Sequence, residues 1–172
     1  MRSLRNSMAV ALVGVMSVVG MTSCGSGEAA GSSSEIEVVT TVAPLTSIAA
    51  AVIGDNATIT GIVPEGVNSH TFEPRPSDAE ALEGADVIFM NGLQLEQPTL
   101  ALAEEVAPAG VEIVQLGEAA IEEDQWIYDF SFPREGGKPN PHLWTNPRLA
   151  GRNAEVLEQV LPQRNLPFCR YS

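Results

Sequence analysis

Short apolar runs rich in β-branched residues alternate with single helical segments along this chain, and this alternation constrains the fold more than any other feature. Strand signals cover residues 36–42, 58–63, 86–90 and 111–116. Strands separated by single helices are joined by right-handed crossovers, so they form a parallel sheet. The sequence therefore predicts an α/β fold: a doubly wound lobe with a four-stranded parallel sheet.

The helices between and after these strands are marked mainly by their first turns. Helix signals cover residues 44–53, 77–84, 96–106 and 147–161. Pro44 and the pair Asn146-Pro147 place proline in a first turn, where its missing N–H is not needed. Ser77-Asp78-Ala79-Glu80 has the pattern of a capping box, which predicts that a short helix begins at Ser77.

The chain has only two histidines, and each lies in a loop bracketed by prolines. His70 lies within Pro64–Asp78 after the second strand, and His142 lies within 139–147 after the fourth. Ligands of open parallel sheets bind beyond the carboxyl ends of the strands, so both imidazoles are expected on one edge. Neutral imidazole is a common ligand of zinc and also suits manganese and iron. The sequence predicts that both histidines donate nitrogen to one metal ion.

Two carboxylates near His70 are candidates for supporting this site. Glu73 and Asp78 could orient the imidazole from behind it, or could cap and solvate the next helix, with capping favoured for Asp78. Two histidines alone provide fewer ligands than a tight zinc site needs. The alternative is that each histidine is an ordinary surface residue.

The connection from Gly117 to Thr145 is long for a compact domain, and such connections tend to be functional or disordered. Its aromatic residues are Trp126, Tyr128, Phe130, Phe132 and Trp144. This aromatic content predicts that the connection packs against the body of the domain.

Charge and motifs exclude several functional classes. The formal net charge is −13, with 22 acidic and 9 basic residues. Phosphate binding requires a basic patch, so no nucleic-acid partner is expected. No motif of a zinc protease, a serine hydrolase, a P-loop or a dinucleotide site is present, so an enzyme is not predicted. A negative surface favours cations, although acidity also keeps exported proteins soluble.

Residues 1–23 have the features of a lipoprotein signal peptide. An apolar segment over 8–21 follows two arginines and is too short to span a bilayer comfortably. Met21-Thr22-Ser23-Cys24 resembles a bacterial lipobox, which predicts that Cys24 becomes a lipidated N-terminus. Residues 24–35 then form a flexible tether rich in glycine and serine. An ordinary cleaved signal peptide with a coincidental cysteine is the alternative.

Three ordered motifs resemble those of the zinc/manganese-binding solute-binding lipoproteins of bacterial ABC transporters, a family that includes proteins described as adhesins. The motifs are 70–78 (HTFEPRPSD), 85–96 (ADVIFMNGLQLE) and 140–147 (NPHLWTNP). The resemblance covers roughly residues 36–161. It implies the N-terminal half of a two-lobed fold, with one metal ion between the lobes. His70 and His142 match the two ligands of that half by position.

The resemblance also implies a function. The protein would capture Zn²⁺ or Mn²⁺ outside the cytoplasm, anchored to the bacterial membrane at the cell surface or in the periplasm, and deliver the ion to an ABC permease. The intact protein would be a monomer. Zinc is slightly favoured, although acidic residues replace the His-rich insertion of many zinc-specific members: Glu118, Glu122, Glu123 and Asp124. A surface adhesin that binds a host or partner protein is the alternative, and a metallohydrolase is a more distant one.

The last residues depart from the family pattern. Residues 162–172 have no hydrophobic periodicity and contain Cys169, for which no disulfide partner is expected. The family takes its remaining ligands, a histidine or glutamate and an aspartate, from a second lobe. The chain is therefore expected to be an N-terminal lobe over 36–161 with an aberrant tail, as a frameshift or premature stop would produce.

Overall fold

A computed structural model describes residues 36–164 of the chain. Within this range the elements are β1 (Glu37–Thr40), α1 (Ala43–Ile53), β2 (Thr58–Gly61), α2 (Pro76–Glu83), β3 (Val87–Met90), α3 (Gln97–Val106), β4 (Glu112–Gln115), α4 (Leu116–Ala120) and α5 (Pro147–Val160). The predicted strands and helices are all present. Helix α4 was not predicted, because it is only five residues long and its first residue, Leu116, also continues the strand signal.

The four strands form one parallel sheet in the order β2-β1-β3-β4. The central strand β3 is the most apolar of the four, and every one of its residues is buried. A strand that is covered on both faces has no solvent side, so its sequence is continuously hydrophobic rather than alternating. The predicted four-stranded parallel sheet is confirmed.

Helices cover both faces of this sheet. Successive side chains of a strand point to opposite faces, so each central strand contributes residues to two cores. Val38, Val87 and Phe89 pack in the core formed with α1 and α5. Val39, Ile88 and Met90 belong to a second core that contains buried residues of α2 and α3. The lobe is therefore doubly wound, as predicted.

Helix α2 begins one residue before the predicted Ser77. Arg75 is the N-cap and Pro76 occupies the first turn. The backbone N–H of Arg75 donates to Asp78 Oδ2 at 2.7 Å, and the Arg75 guanidinium donates to Asp78 Oδ1 at 2.9 Å. The capping box predicted at Ser77–Glu80 is wrong, because Pro76 is favoured at the first helical position and this shifts the capping carboxylate to Asp78.

The remaining boundaries agree with the sequence to within a residue or two. Asn146 caps α5 by accepting a hydrogen bond from the Arg148 N–H at 3.0 Å. Of the five aromatic residues in the connection before α5, Phe130 is fully exposed and the other four are half-buried, and most of residues 129–138 are exposed as well. The packing predicted from the aromatic content is therefore found only in part. No helix within residues 36–164 is long and apolar enough to cross a bilayer. The predicted signal peptide, Cys24, the tether and Cys169 lie outside the described residues.

Candidate metal site

The loop that carries His70 follows the carboxyl end of β2. Two further backbone hydrogen bonds, from the N–H groups of Ile62 and Val63 to the end of β1, extend the pairing until Pro64 ends it. The chain then turns, and His70 lies in a short 3-10 turn at Ser69–Thr71. Asn68 Oδ1 accepts the backbone N–H of His70 at 3.0 Å. The imidazole of His70 is exposed.

The loop that carries His142 is fixed to the end of β3. Asn91 Nδ2 donates to the carbonyl of Pro141 at 3.1 Å, and both residues are buried. Asn140 Oδ1 accepts the backbone N–H of His142 at 3.0 Å. Each histidine is thus preceded two positions earlier by an asparagine that fixes its backbone. This Asn-x-His spacing is visible in the sequence and is the signal that could have identified the two asparagines.

The structure brings the two predicted histidines together across 72 positions of sequence. The Nε2 atoms of His70 and His142 are 3.1 Å apart, and their ring centroids are 5.1 Å apart. Two nitrogens bound to one tetrahedral zinc ion at about 2.0–2.1 Å would be about 3.3 Å apart. The spacing of the two imidazoles therefore suits a shared metal ion.

Of the two carboxylates near His70, Asp78 has the capping role that was favoured for it, and neither one orients the imidazole. Asp78 is buried and bonded to Arg75 in the helix cap, and Glu73 is exposed. Within residues 36–164, neither carboxylate is hydrogen-bonded to His70. Burial raises the pKa of Asp78, but hydrogen bonds from Arg75 and its positive charge outweigh burial and lower the pKa below its ordinary value.

A different pair of side chains supports His142, and sequence reasoning missed it. Asn140 Oδ1 lies 2.7 Å from His142 Nδ1, while Asn140 Nδ2 donates to Asp129 Oδ2 at 2.5 Å. Asp129 Oδ1 also accepts the N–H groups of Ser131 and Phe132. The hydrogen bond from Asn140 is the main reason that the pKa of Asp129 lies below its ordinary value.

Two aromatic rings, of Phe132 and Trp144, contact the histidine pair. Phe132 stacks on His70 at 5.8 Å and meets His142 edge-on at 5.5 Å, and Trp144 also meets His142 edge-on, at 5.1 Å. Burial, and then the nearby His70, lower the pKa of His142, and Asp129 opposes them. A lowered pKa keeps the imidazole neutral, which is the form that binds metals.

A buried carboxyl group, Glu96, forms hydrogen bonds to the residues that directly follow β1 and β3. Its Oε1 atom accepts hydrogen bonds from the Thr41 hydroxyl at 2.5 Å and the Asn91 N–H at 2.7 Å. Burial raises the pKa of Glu96 despite these hydrogen bonds. Asn91 in turn donates its side-chain hydrogen bond to the Pro141 carbonyl. Glu96 is therefore connected through Asn91 to the loop that carries His142. Nothing in the spacing of this glutamate identified that role.

The histidine pair could provide two nitrogen donors to a metal ion. Within the part of the chain that the structure describes, no group of three or more histidine, cysteine, aspartate or glutamate side chains could hold an ion. Further ligands would therefore have to be water or groups from elsewhere.

The sequence matches the protein family described as ZnuA, zinc-uptake complex component A, periplasmic, over residues 38–164. The chain belongs to this family. The match of this ZnuA-family chain includes both histidine loops, the strands β2, β3 and β4, and β1 from Val38 onward.

Curated relatives of this ZnuA-family chain are streptococcal lipoproteins. The metal ABC transporter substrate-binding lipoprotein FimA of Streptococcus parasanguinis is 31% identical over 127 residues, which are 74% of this chain and 41% of FimA. The manganese-named PsaA of Streptococcus anginosus is 31% identical, with 78% and 44% covered. The iron-named MtsA of Streptococcus pyogenes is 30% identical, with 81% and 45% covered. The chain thus spans less than half the length of these relatives.

Solved structures show the same fold. The periplasmic zinc-binding protein TroA of Treponema pallidum superposes with a TM-score of 0.64 at 22% identity, covering 76% of this chain and 44% of TroA. Zn(II)-bound AdcA of Streptococcus pneumoniae gives a TM-score of 0.60 at 19% identity, covering 75% of this chain and 26% of AdcA.

Proposed function

We propose that this ZnuA-family chain binds a divalent metal ion between His70 and His142 and acts as the metal-capturing lipoprotein of an ABC importer. The observation that carries the proposal is the 3.1 Å separation of the two Nε2 atoms, brought together from separate loops at one edge of the sheet. Relatives named for metal ABC transport support the cargo and the class of partner. Capture and release make and break no covalent bond of a substrate, so the role requires no catalytic residue.

The proposed ion is Zn²⁺ or Mn²⁺, with zinc slightly favoured. Relatives and structural neighbours are named for manganese, iron, zinc and nickel, so the names alone do not select one metal. Imidazole donors generally bind zinc more strongly than manganese. Two imidazoles completed by water provide fewer protein ligands than a closed zinc site, so binding by the chain as written should be weak.

The proposed location is the outer side of a bacterial membrane, with Cys24 carrying the lipid anchor. Two acyl chains give stable attachment, whereas one is marginal. The permease of an ABC importer is the proposed partner, and a monomer is the proposed state of the protein when intact. The anchor and the location rest on the lipobox-like sequence and on the lipoprotein names of the relatives, the permease rests on their ABC transporter names, and the monomer rests on the family resemblance alone.

Calorimetric titration with Zn²⁺ and Mn²⁺ tests the site. His70→Ala or His142→Ala should each remove most of the measurable binding, because one imidazole cannot replace a pair. Phe130→Ala is the matched control, since Phe130 is exposed in the same connection and should leave binding unchanged. Tight binding that survives both histidine substitutions would place the metal elsewhere and contradict the proposal.

A further inference from the structure

The amide of Asn140 lies between two groups whose hydrogen-bonding roles are fixed. On one side is the carboxylate of Asp129, which can only accept once it is ionised, as an aspartate is at neutral pH. On the other side is the backbone N–H of His142, which can only donate. The amide therefore has only one satisfactory orientation, with Nδ2 toward Asp129 and Oδ1 toward His142.

This orientation determines which ring nitrogen of His142 carries the proton. Asn140 Oδ1 lies 2.7 Å from His142 Nδ1, and an amide oxygen can only accept. A hydrogen bond at this distance requires a proton on Nδ1. In a neutral imidazole, the proton on Nδ1 leaves Nε2 with a free lone pair.

We propose that Asn140, oriented by Asp129, is a positioning residue that holds His142 in the Nδ1–H tautomer and so presents its Nε2 lone pair toward His70. The proposal deepens the proposed function, because this lone pair is the one that would bind the metal ion. The tautomer itself, however, is a property of the metal-free protein. It can be measured whether or not the chain binds metal.

The same geometry gives His70 the opposite tautomer in the metal-free protein. The two Nε2 atoms are at hydrogen-bond distance, and only one of them can carry the shared proton. With His142 Nε2 as acceptor, the proton belongs to His70 Nε2. Among the described residues, no group is hydrogen-bonded to His70 Nδ1, so this exposed ring can move its proton from Nε2 to Nδ1 by exchange with water when a metal ion binds. His142 is the preset ligand, and His70 is the one that adapts.

Asn68 provides a matched control for Asn140. It also lies two positions before a histidine and accepts that histidine's backbone N–H at 3.0 Å. In the described structure it makes no hydrogen bond to the imidazole of His70. Substituting Asn68 therefore removes the backbone interaction alone, whereas substituting Asn140 removes the backbone interaction, the ring interaction and the hydrogen bond to Asp129.

The test is ¹⁵N NMR of the histidine rings in the untagged full chain, which has only two histidines. Long-range ¹H–¹⁵N spectra of the metal-free protein, recorded above the histidine pKa range, distinguish protonated from unprotonated ring nitrogens. His70→Ala assigns the signals. Wild-type His142 should show a protonated Nδ1 and an unprotonated Nε2, and His70 the reverse. Asn140→Ala should shift His142 toward the Nε2–H form, while Asn68→Ala should leave its tautomer unchanged.

An exchange of the two polar residues separates positioning from general loss of structure. In Asp129→Asn alone, an introduced amide nitrogen would face Asn140 Nδ2, so His142 should shift toward the Nε2–H tautomer. Combining Asp129→Asn with Asn140→Asp restores one donor and one acceptor between these positions, and should restore the Nδ1–H tautomer. A His142 tautomer that is the same in all these variants, or that changes equally in Asn68→Ala, would overturn the proposal.

Zinc titration of the same samples separates this proposal from the proposed function. Removing a group that orients a metal ligand typically costs 10–100-fold in affinity, so Asn140→Ala should weaken zinc binding about 10-fold, and the double variant should recover it. Wild-type protein that shows the expected tautomers but binds no zinc or manganese would contradict the proposed function and leave the role of Asn140 supported. If wild type binds zinc but the His142 tautomer is unchanged in Asn140→Ala, the proposed function is supported and the role of Asn140 is contradicted.

Discussion

Glu96 is a buried carboxyl group with one satisfied and one unsatisfied oxygen. Oε1 accepts hydrogen bonds from Thr41 and Asn91, whereas Oε2 has no partner within the described residues. Burial penalises the charged form, and this raises the pKa of Glu96 above its ordinary value. The residue thus joins the ends of β1 and β3 but destabilises the fold when it ionises.

We expect Glu96→Gln to remove the part of the pH dependence of the unfolding free energy that comes from ionisation of Glu96. In wild type, the contribution of Glu96 is fully present below the ordinary glutamate pKa of about 4.3 and is lost as pH rises through the higher folded-state pKa. Glutamine does not ionise. The free energy of unfolding of wild type relative to Glu96→Gln should therefore fall between about pH 4 and neutral pH, as measured by urea unfolding across pH. A constant difference would contradict the raised pKa.

Asp78 should show the opposite pH dependence. Its folded-state pKa is lowered, so its contribution is present above the unfolded value near 3.9 and is lost as pH falls through the folded-state pKa. Asp78→Ala should cost about 1 kcal/mol at neutral pH, as loss of a cap usually does, and less in acid. Ser77→Ala tests the alternative cap that the sequence pattern predicted. It should have little effect, and a cost equal to that of Asp78→Ala would restore Ser77 as the cap.

At the scale of elements, the turn between β3 and α3 is unusual. Gly92, Leu93 and Gln94 all have positive φ angles, of 76°, 52° and 61°. Glycine tolerates this region, but side chains with a Cβ are destabilised there by roughly 1–2 kcal/mol per residue. The turn brings Leu93 into the core and Glu96 beneath the strand ends, so tertiary contacts stabilise a backbone that is locally unfavourable.

Replacement of Gln94 by glycine should therefore stabilise the protein. Gln94 is exposed, and within residues 36–164 its side chain makes one hydrogen bond, a weak surface one to the Gly137 carbonyl at 3.3 Å. Relief of the positive φ exceeds the extra entropy of glycine in the unfolded chain, so we expect a gain of about 0.5 kcal/mol in thermal or urea unfolding. Glu104→Gly, at an exposed position inside α3, should instead cost about 1 kcal/mol. A loss at Gln94 similar to the loss at Glu104 would show that its φ is not unfavourable.

At the scale of the whole lobe, the two histidine loops follow the two outer strands of the sheet. His70 comes after β2 and His142 comes after β4 and α4, while the central strands β1 and β3 end between them. The ends of the central strands carry Thr41 and Asn91, the groups that Glu96 joins. An ion held by both imidazoles would therefore link the loop that follows β2 to the loop that follows β4 and α4, across the ends of the central strands.

Zinc should accordingly stabilise the entire lobe and not one loop. Binding to the folded state alone adds about 2.7 kcal/mol at a free ligand concentration of 100 times Kd, which raises the midpoint of thermal unfolding. The increase should be absent in His70→Ala and in His142→Ala, and a chelator should reverse it. Magnesium, which prefers oxygen ligands, is the control ion. Equal stabilisation by magnesium, or by zinc in either variant, would exclude the histidine pair as its source.

The sequence by itself determined the architecture, because each of its signals has a short-range physical cause. Apolar β-branched runs specify strands, and proline in a first turn specifies the starts of α1 and α5. Single helices between strands specify a parallel sheet, and that arrangement places His70 and His142 at one edge. Their identity as candidate donors therefore needed no coordinates.

Only the tertiary structure decided which groups support the histidines. Asp129, Asn140 and Phe132 lie in an irregular connection without periodicity, and their hydrogen bonds and ring contacts depend on how that connection folds back. Glu73 and Asp78 are nearer to His70 in sequence, but a helix cap engages Asp78 and Glu73 is exposed. Periodic patterns specify which face of an element is buried. The partner of a polar group in a loop is set by the three-dimensional path of the chain, which no local pattern encodes.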